Sequence, residues 1–96
     1  MRKSMLILAK NRGRKMEDKI FSRIKEMLVD KYYVPSQKVT AEVVYDDLEL
    51  DSLVLLEISV ALEKEFDLKI PDGLVESEMS IGHSVSVILG NNADAA

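Results

Sequence analysis

Between Asp51 and Phe66 the chain repeats apolar residues at the period of an α-helix, and it does so on two sides. At 100° per residue, Leu55, Ile58, Leu62 and Phe66 fall in one narrow stripe. Leu53, Leu56 and Val60 fall on the opposite side, next to Ser52. Asp51 stands where an N-cap belongs, with a carboxylate able to accept from the free N–H groups of the first turn. The spacing therefore predicts a helix over 52–66. A chain of 96 residues makes one domain, and a domain that small cannot easily bury a helix on both sides. The first stripe is expected to face the core. The second is expected to stay partly exposed and to meet a partner.

The rest of the chain supplies what that core face packs against. Ile20, Ile24, Met27 and Leu28 share one helical face, widened by Phe21. That helix is expected to start near Met16 or Glu17, where acidic residues suit the positive end of the macrodipole. It should fade at 31–33, because Pro35 biases Val34 away from helical geometry. Residues 34–50 keep no helical face and read as a long ordered loop, with Val39, Val44 and Leu48 turned inward. Pro71 can open a short helical turn over 72–76. Ser80 caps a last helix over 81–89, with Ile81, Val85, Ile88 and Leu89 as its apolar face and Gly90-Asn91 as its end. The expected fold is all-α, a small four-helix bundle of three main helices plus one short helix. Its domain spans 16–90, between a disordered basic leader (1–15) and a flexible tail (91–96).

Composition removes whole classes of function. With no Cys and one His, the chain offers no disulfide, no cysteine nucleophile and no His-rich metal site. No apolar run approaches the roughly 20 residues that span a bilayer. The short stretch Met5–Ala9 is followed by basic residues rather than a signal-type cleavage site, so a cytoplasmic protein without stable membrane insertion is expected. Residues 1–15 hold six Lys/Arg and no acid, whereas the remainder holds seven Lys/Arg against seventeen Asp/Glu. An acidic body disfavours nucleic acid and favours partners with basic patches. Its self-repulsion points to a monomer.

Chemistry concentrates in Asp47-Leu48-Glu49-Leu50-Asp51-Ser52-Leu53. A phosphate ester on Ser52 would sit at a helix N-terminus, where negative charge is favoured. A hydrolase nucleophile there would need a base and an oxyanion hole. His83 is the one histidine, nothing in the sequence brings it to Ser52, and no Gly-x-Ser-x-Gly elbow is present. On helix logic alone, Ser52 is a plain first-turn residue.

The string Asp47-Leu48-x-Leu50-Asp51-Ser52-Leu53 is followed by Leu56-Glu57-Ile58, by Ala61-Leu62-Glu63-Lys64-Glu65-Phe66, by Ile70-Pro71-Asp72 and by Ser80-Ile81-Gly82. Together these resemble the acyl carrier protein family, of the free-standing type, over about residues 16–90. The resemblance implies a non-catalytic carrier whose Ser52 takes 4′-phosphopantetheine from coenzyme A through a phosphopantetheinyl transferase. Acyl intermediates would ride on the arm's thiol as thioesters, between enzymes of fatty acid, polyketide or related lipid synthesis. Asp51 would be read by the transferase. Leu53, Leu56 and Val60 would form an apolar partner strip, with Glu57 and Glu63 meeting the basic docking patches of acyl-transfer, synthase and modifying enzymes. The acyl chain itself would fold back between the helices. Three departures stand out: Glu49 replaces the family's usual Gly, Val54 and Leu55 follow the serine where more polar residues are often found, and His83 stands where an acid is common. The alternatives are an aminoacyl or peptidyl carrier and an unmodified helical interaction module.

Overall fold

The computed structural model describes the backbone of residues 2–93 and the side-chain surroundings of residues 16–92. Three α-helices, α1 (Arg2–Tyr32), α2 (Ser52–Phe66) and α3 (Ile81–Ala93), are joined by two irregular segments. The first segment carries two 3₁₀ turns, Ser36–Lys38 and Tyr45–Leu48. Among the described residues no strand forms; Val44 and Ser80 make an isolated antiparallel bridge. The all-α expectation holds.

The core is the one that the helical periods predict. Ile20, Ile24, Met27 and Leu28 of α1 meet Leu55, Ile58 and Leu62 of α2 and Ile81, Val85 and Ile88 of α3. Phe66 and Leu89 are half-buried at its edge. An exposed ion pair ties α1 to α2: Arg23 Nε donates to both carboxylate oxygens of Glu65, at 2.7 and 2.9 Å.

The element boundaries differ from expectation in three places. α1 begins at Arg2 rather than near Met16, so the basic leader is written into the same helix. Its Lys, Arg, Leu and Met residues are good helix formers, and no proline interrupts them. The short helix expected over 72–76 is a turn. Gly73 has φ +86, which a right-handed helix cannot take, and Leu74 N–H closes the turn onto Pro71 O at 3.0 Å. α3 runs through Gly90 to Ala93 instead of stopping at Leu89. Asn92 explains the extension: its amide donates to Ile88 O and Lys69 O, at 2.8 and 3.1 Å, and its oxygen accepts from Lys69 N–H at 2.8 Å. The end of α3 is thereby fastened to the connection that follows α2. The loose tail expected over 91–96 is helical as far as Ala93, and its last three residues lie outside the described residues.

The long 34–50 segment is ordered, and the start of α3 holds it in place. Tyr45 N–H donates to Met79 O (3.1 Å), Ile81 N–H to Val43 O (2.9 Å) and Gly82 N–H to Ala41 O (2.8 Å). A side chain at 82 would bring its Cβ to 3.0 Å from Ala41 O, a tight contact that glycine avoids. Val39 is buried and Val44 and Leu48 half-buried, as expected. The deepest anchor is Tyr45, which the sequence reading passed over. It is fully buried, and its hydroxyl lies 2.7 Å from Ser84 Oγ. Ser84 donates its own proton to Ile81 O at 2.6 Å, so Tyr45 is the donor to Ser84.

Burial pushes the Tyr45 phenol up to about 12. Between pH 10 and 12 the unfolded tyrosine ionises while the folded one stays neutral. Its contribution to stability is therefore complete below pH 10 and falls by about 1.4 kcal/mol per pH unit above it. Tyr45→Phe is expected to lose about 1 kcal/mol at pH 7. Above pH 11 the variant should overtake the parent chain, as read from urea midpoints across the alkaline range.

Candidate functional site

The site is built where the irregular 34–50 segment hands over to α2. The Tyr45–Leu48 turn ends at Glu49, which adopts the left-handed conformation (φ 59, ψ 36) and donates its N–H back to Asp46 O at 3.0 Å. Leu50 then drops into the core. Asp51 leaves it in an extended conformation and caps α2: its Oδ1 accepts from Val54 N–H at 3.1 Å, and its carbonyl from Leu55 N–H at 3.2 Å. With Leu50 and Leu55 buried on either side, the Asp51-Ser52-Leu53 corner is held out in solvent. Ser52 is exposed as the first residue of α2. Asp46, Asp47, Glu49 and Asp51, all exposed, make the stretch that leads into it acidic.

Glu49 is where the resemblance expects glycine, and the backbone shows why glycine suits the position. A non-glycine residue at φ 59 costs about 1 kcal/mol or more.

From Ser52 two apolar features run along α2. One is a cleft of about 290 Å³ between α2 and the turn at 72–75, lined by Ser52, Leu55, Leu56, Ser59, Gly73 and Val75 among others. The other is the second apolar side. Leu53, Leu56 and Val60 are 63, 40 and 41 % exposed, large values for such side chains. The structure thus brings Ser52, Asp51 and this strip together on one side of one helix.

The two glutamates expected beside the strip are placed differently from each other. Glu57 is exposed, and its carboxylate accepts from the Tyr32 hydroxyl at the end of α1. That hydrogen bond, helped by partial burial and by the charges of Glu57 and Asp51, pushes the Tyr32 phenol up to about 12. Glu63 is half-buried, and its Oε2 accepts from Ile70 N–H at 2.8 Å. It therefore pins the connection after α2, a task that spacing on one helix does not reveal. His83 is exposed in the first turn of α3, donates its backbone N–H to Ser80 Oγ at 3.1 Å and is not among the residues lining the Ser52 cleft.

Comparison with known proteins gives this geometry its context. The family model described as "Phosphopantetheine attachment site" matches residues 22–86. That span takes in all of α2 and its cap. The chain belongs to the acyl carrier protein family. A curated acyl carrier protein from a Picosynechococcus species is 38 % identical over 74 residues, which cover 76 % of this chain and 91 % of that one. No solved structure is a significant match.

The family's prosthetic group is 4′-phosphopantetheine, and the site suits it. An exposed hydroxyl stands at a helix N-terminus that favours a phosphate's charge, and an apolar cleft opens beside it.

Two substitutions test the local design. Glu49→Gly is expected to raise the thermal midpoint by a few degrees, corresponding to as much as about 1 kcal/mol for a domain of this size. Asp51→Ala is expected to lower stability by about 1 kcal/mol through loss of the cap. Calorimetry on both variants checks the pair.

Proposed function

We propose that Ser52 is the residue that carries the 4′-phosphopantetheine arm, and that the chain is a free-standing carrier of acyl groups. The supporting observation is the exposure of Ser52 at the capped start of α2, in line with an uncovered apolar strip on the same helix. The arm, when bound, supplies the thiol that holds an acyl group as a thioester, which this cysteine-free chain lacks. A phosphopantetheinyl transferase would join the arm's phosphate to Ser52 Oγ, with coenzyme A as donor.

The chain's own residues divide the work. Asp51 holds the helix start, so that the hydroxyl is presented at a fixed place, and it offers a carboxylate to the transferase. Leu53, Leu56 and Val60 give successive enzymes an apolar strip to cover. Glu57, and the oxygen of Glu63 that Ile70 does not use, meet cations of the partners' basic patches. Contacts of this exposed kind contribute about 0.2–1 kcal/mol each. They speed encounter without long residence, which suits a monomeric shuttle that must leave each enzyme after delivery. Leu55, Ser59 and Val75 line a cleft that an acyl chain can enter from the serine end. No described helix is long and apolar enough to cross a membrane. The enzymes served are those of fatty acid, polyketide or related lipid synthesis, in the cytoplasm.

Incubation with coenzyme A, Mg²⁺ and a broad-specificity phosphopantetheinyl transferase should add the mass of one arm to the full chain. Ser52→Ala should add none while keeping the parent's helical circular dichroism. A parent chain that stays unmodified, or a variant that is still loaded, contradicts the assignment.

A further inference from the structure

From the end of α1 the Tyr32 hydroxyl reaches across to α2 and donates to Glu57 Oε1. The Tyr32 ring is half-buried and packs against the core, so the hydroxyl stands on a fixed base. The backbone adds to this. Tyr32 is the last residue of α1. Tyr33 then turns left-handed at φ 60, a conformation strained for any residue with a side chain, and is 85 % exposed. Val34 returns to the core, and its N–H donates to Leu28 O at 3.0 Å. The chain thus leaves the helix directly after Tyr32. The same tyrosine lines a small cleft of about 160 Å³ with Asp47, Leu48 and Glu49, the residues that lead into α2. It stands where the end of α1, the run-up to Ser52 and the exposed Glu57 come together.

The phenol, pushed up to about 12 chiefly by its hydrogen bond to Glu57, is a neutral donor at pH 7; the charge of Asp51 adds to that push, which puts both acids within its reach. An unheld glutamate on a helix surface samples several rotamers, and a partner that orders it gives up part of the contact's free energy. Tyr32 removes that loss. A carboxylate has about four lone-pair positions. The phenol takes one of them, on Oε1, and the others stay open to an incoming ammonium or guanidinium group. Glu57 belongs to neither of the ion pairs found among the described residues, Arg23–Glu26 and Arg23–Glu65. Lys31 lies over the Tyr32 ring, 5.9 Å from its centre.

We propose that Tyr32 is a positioning residue for docking: it holds the Glu57 carboxylate at a set distance from Asp51 and Ser52, so that the basic face of the loading transferase meets both acids in one arrangement. Asp51 and Glu57 are six positions apart, about 9 Å along the helix axis. The backbone of α2 fixes where the Glu57 side chain starts, and the phenol fixes where its charge ends. The inference rests on the carrier assignment and adds to it a residue from outside α2.

Loading of the full chain by a broad-specificity phosphopantetheinyl transferase, with coenzyme A and Mg²⁺, tests this through a double-mutant cycle. Tyr32→Phe keeps the ring and removes the hydroxyl. It is expected to raise the KM for the carrier chain about two- to tenfold and to leave kcat unchanged. Glu57→Gln should raise KM at least as much, and the double variant should be no worse than Glu57→Gln alone. Effects that add in full mark a merely structural role and overturn the inference, as does an unchanged KM in either single variant. Side-chain couplings of Glu57 in the isotopically labelled chain give a reading that needs no enzyme. They should report one χ1 rotamer in the parent and averaged values in Tyr32→Phe; averaging already present in the parent also overturns the inference. A parent chain that is not loaded at all contradicts the carrier assignment, and the couplings then still decide whether Tyr32 holds Glu57. A parent that loads, with variants that load equally well, contradicts the role of Tyr32 and not the carrier.

Discussion

In a three-helix bundle of this size a helix can be covered on one side, and α2 is apolar on two. Its core side, Leu55, Ile58 and Leu62, is buried in the one core shared by the helices and their connections, and the bundle would have no centre without it. The other side has no counterpart among the described residues, so Leu53, Leu56 and Val60 stay in water. Leaving such side chains exposed forgoes about 1–2 kcal/mol each relative to full burial. A surface of this kind makes sense when something else covers it intermittently. The Ser52 hydroxyl lies at the end of that same side, so a partner that covered the strip would also arrive at the serine.

The position of the serine depends on how the preceding segment is fastened. An irregular stretch as long as 34–50 would let the start of α2 drift. Instead Tyr45 reaches through the core to Ser84, and backbone bonds join Ala41, Val43 and Tyr45 to residues 79–82. From that fixed point the chain passes through a left-handed Glu49, a buried Leu50 and the Asp51 cap. Each step leaves little freedom, and Ser52 emerges at a defined place. At the far end Glu63 ties the connection after α2 back onto α2, and Asn91 and Asn92 hold that connection against α3. Helix α2 is therefore clamped at both ends and bare along one side.

What could be read from the sequence follows from this division. α2 was legible residue by residue, because a 3.6-residue period and a capping aspartate are local signals. So was the exposure of Leu53, Leu56 and Val60, because a small bundle cannot cover them. Tyr45 was not legible: it lies in a segment without a period, and its partner is thirty-nine positions away. The extension of α3 past Gly90 hangs on Asn92 reaching Lys69, which no local rule encodes. The short helix expected at 72–76 gave way to the left-handed Gly73, since proline at a first position does not outweigh a glycine turn two residues on. Glu63 looked like a surface acid on helical spacing and turned out to hold a backbone N–H of the next connection.

One atom decides the proposed carrier role, the Oγ of Ser52. Digestion at lysine of protein isolated from cells that contain its own loading enzyme yields the peptide spanning residues 39–64, which contains two serines, Ser52 and the buried Ser59. Fragmentation of that peptide by mass spectrometry should place a phosphopantetheine group on Ser52. A bare peptide, or a group carried on Ser59, would contradict the account.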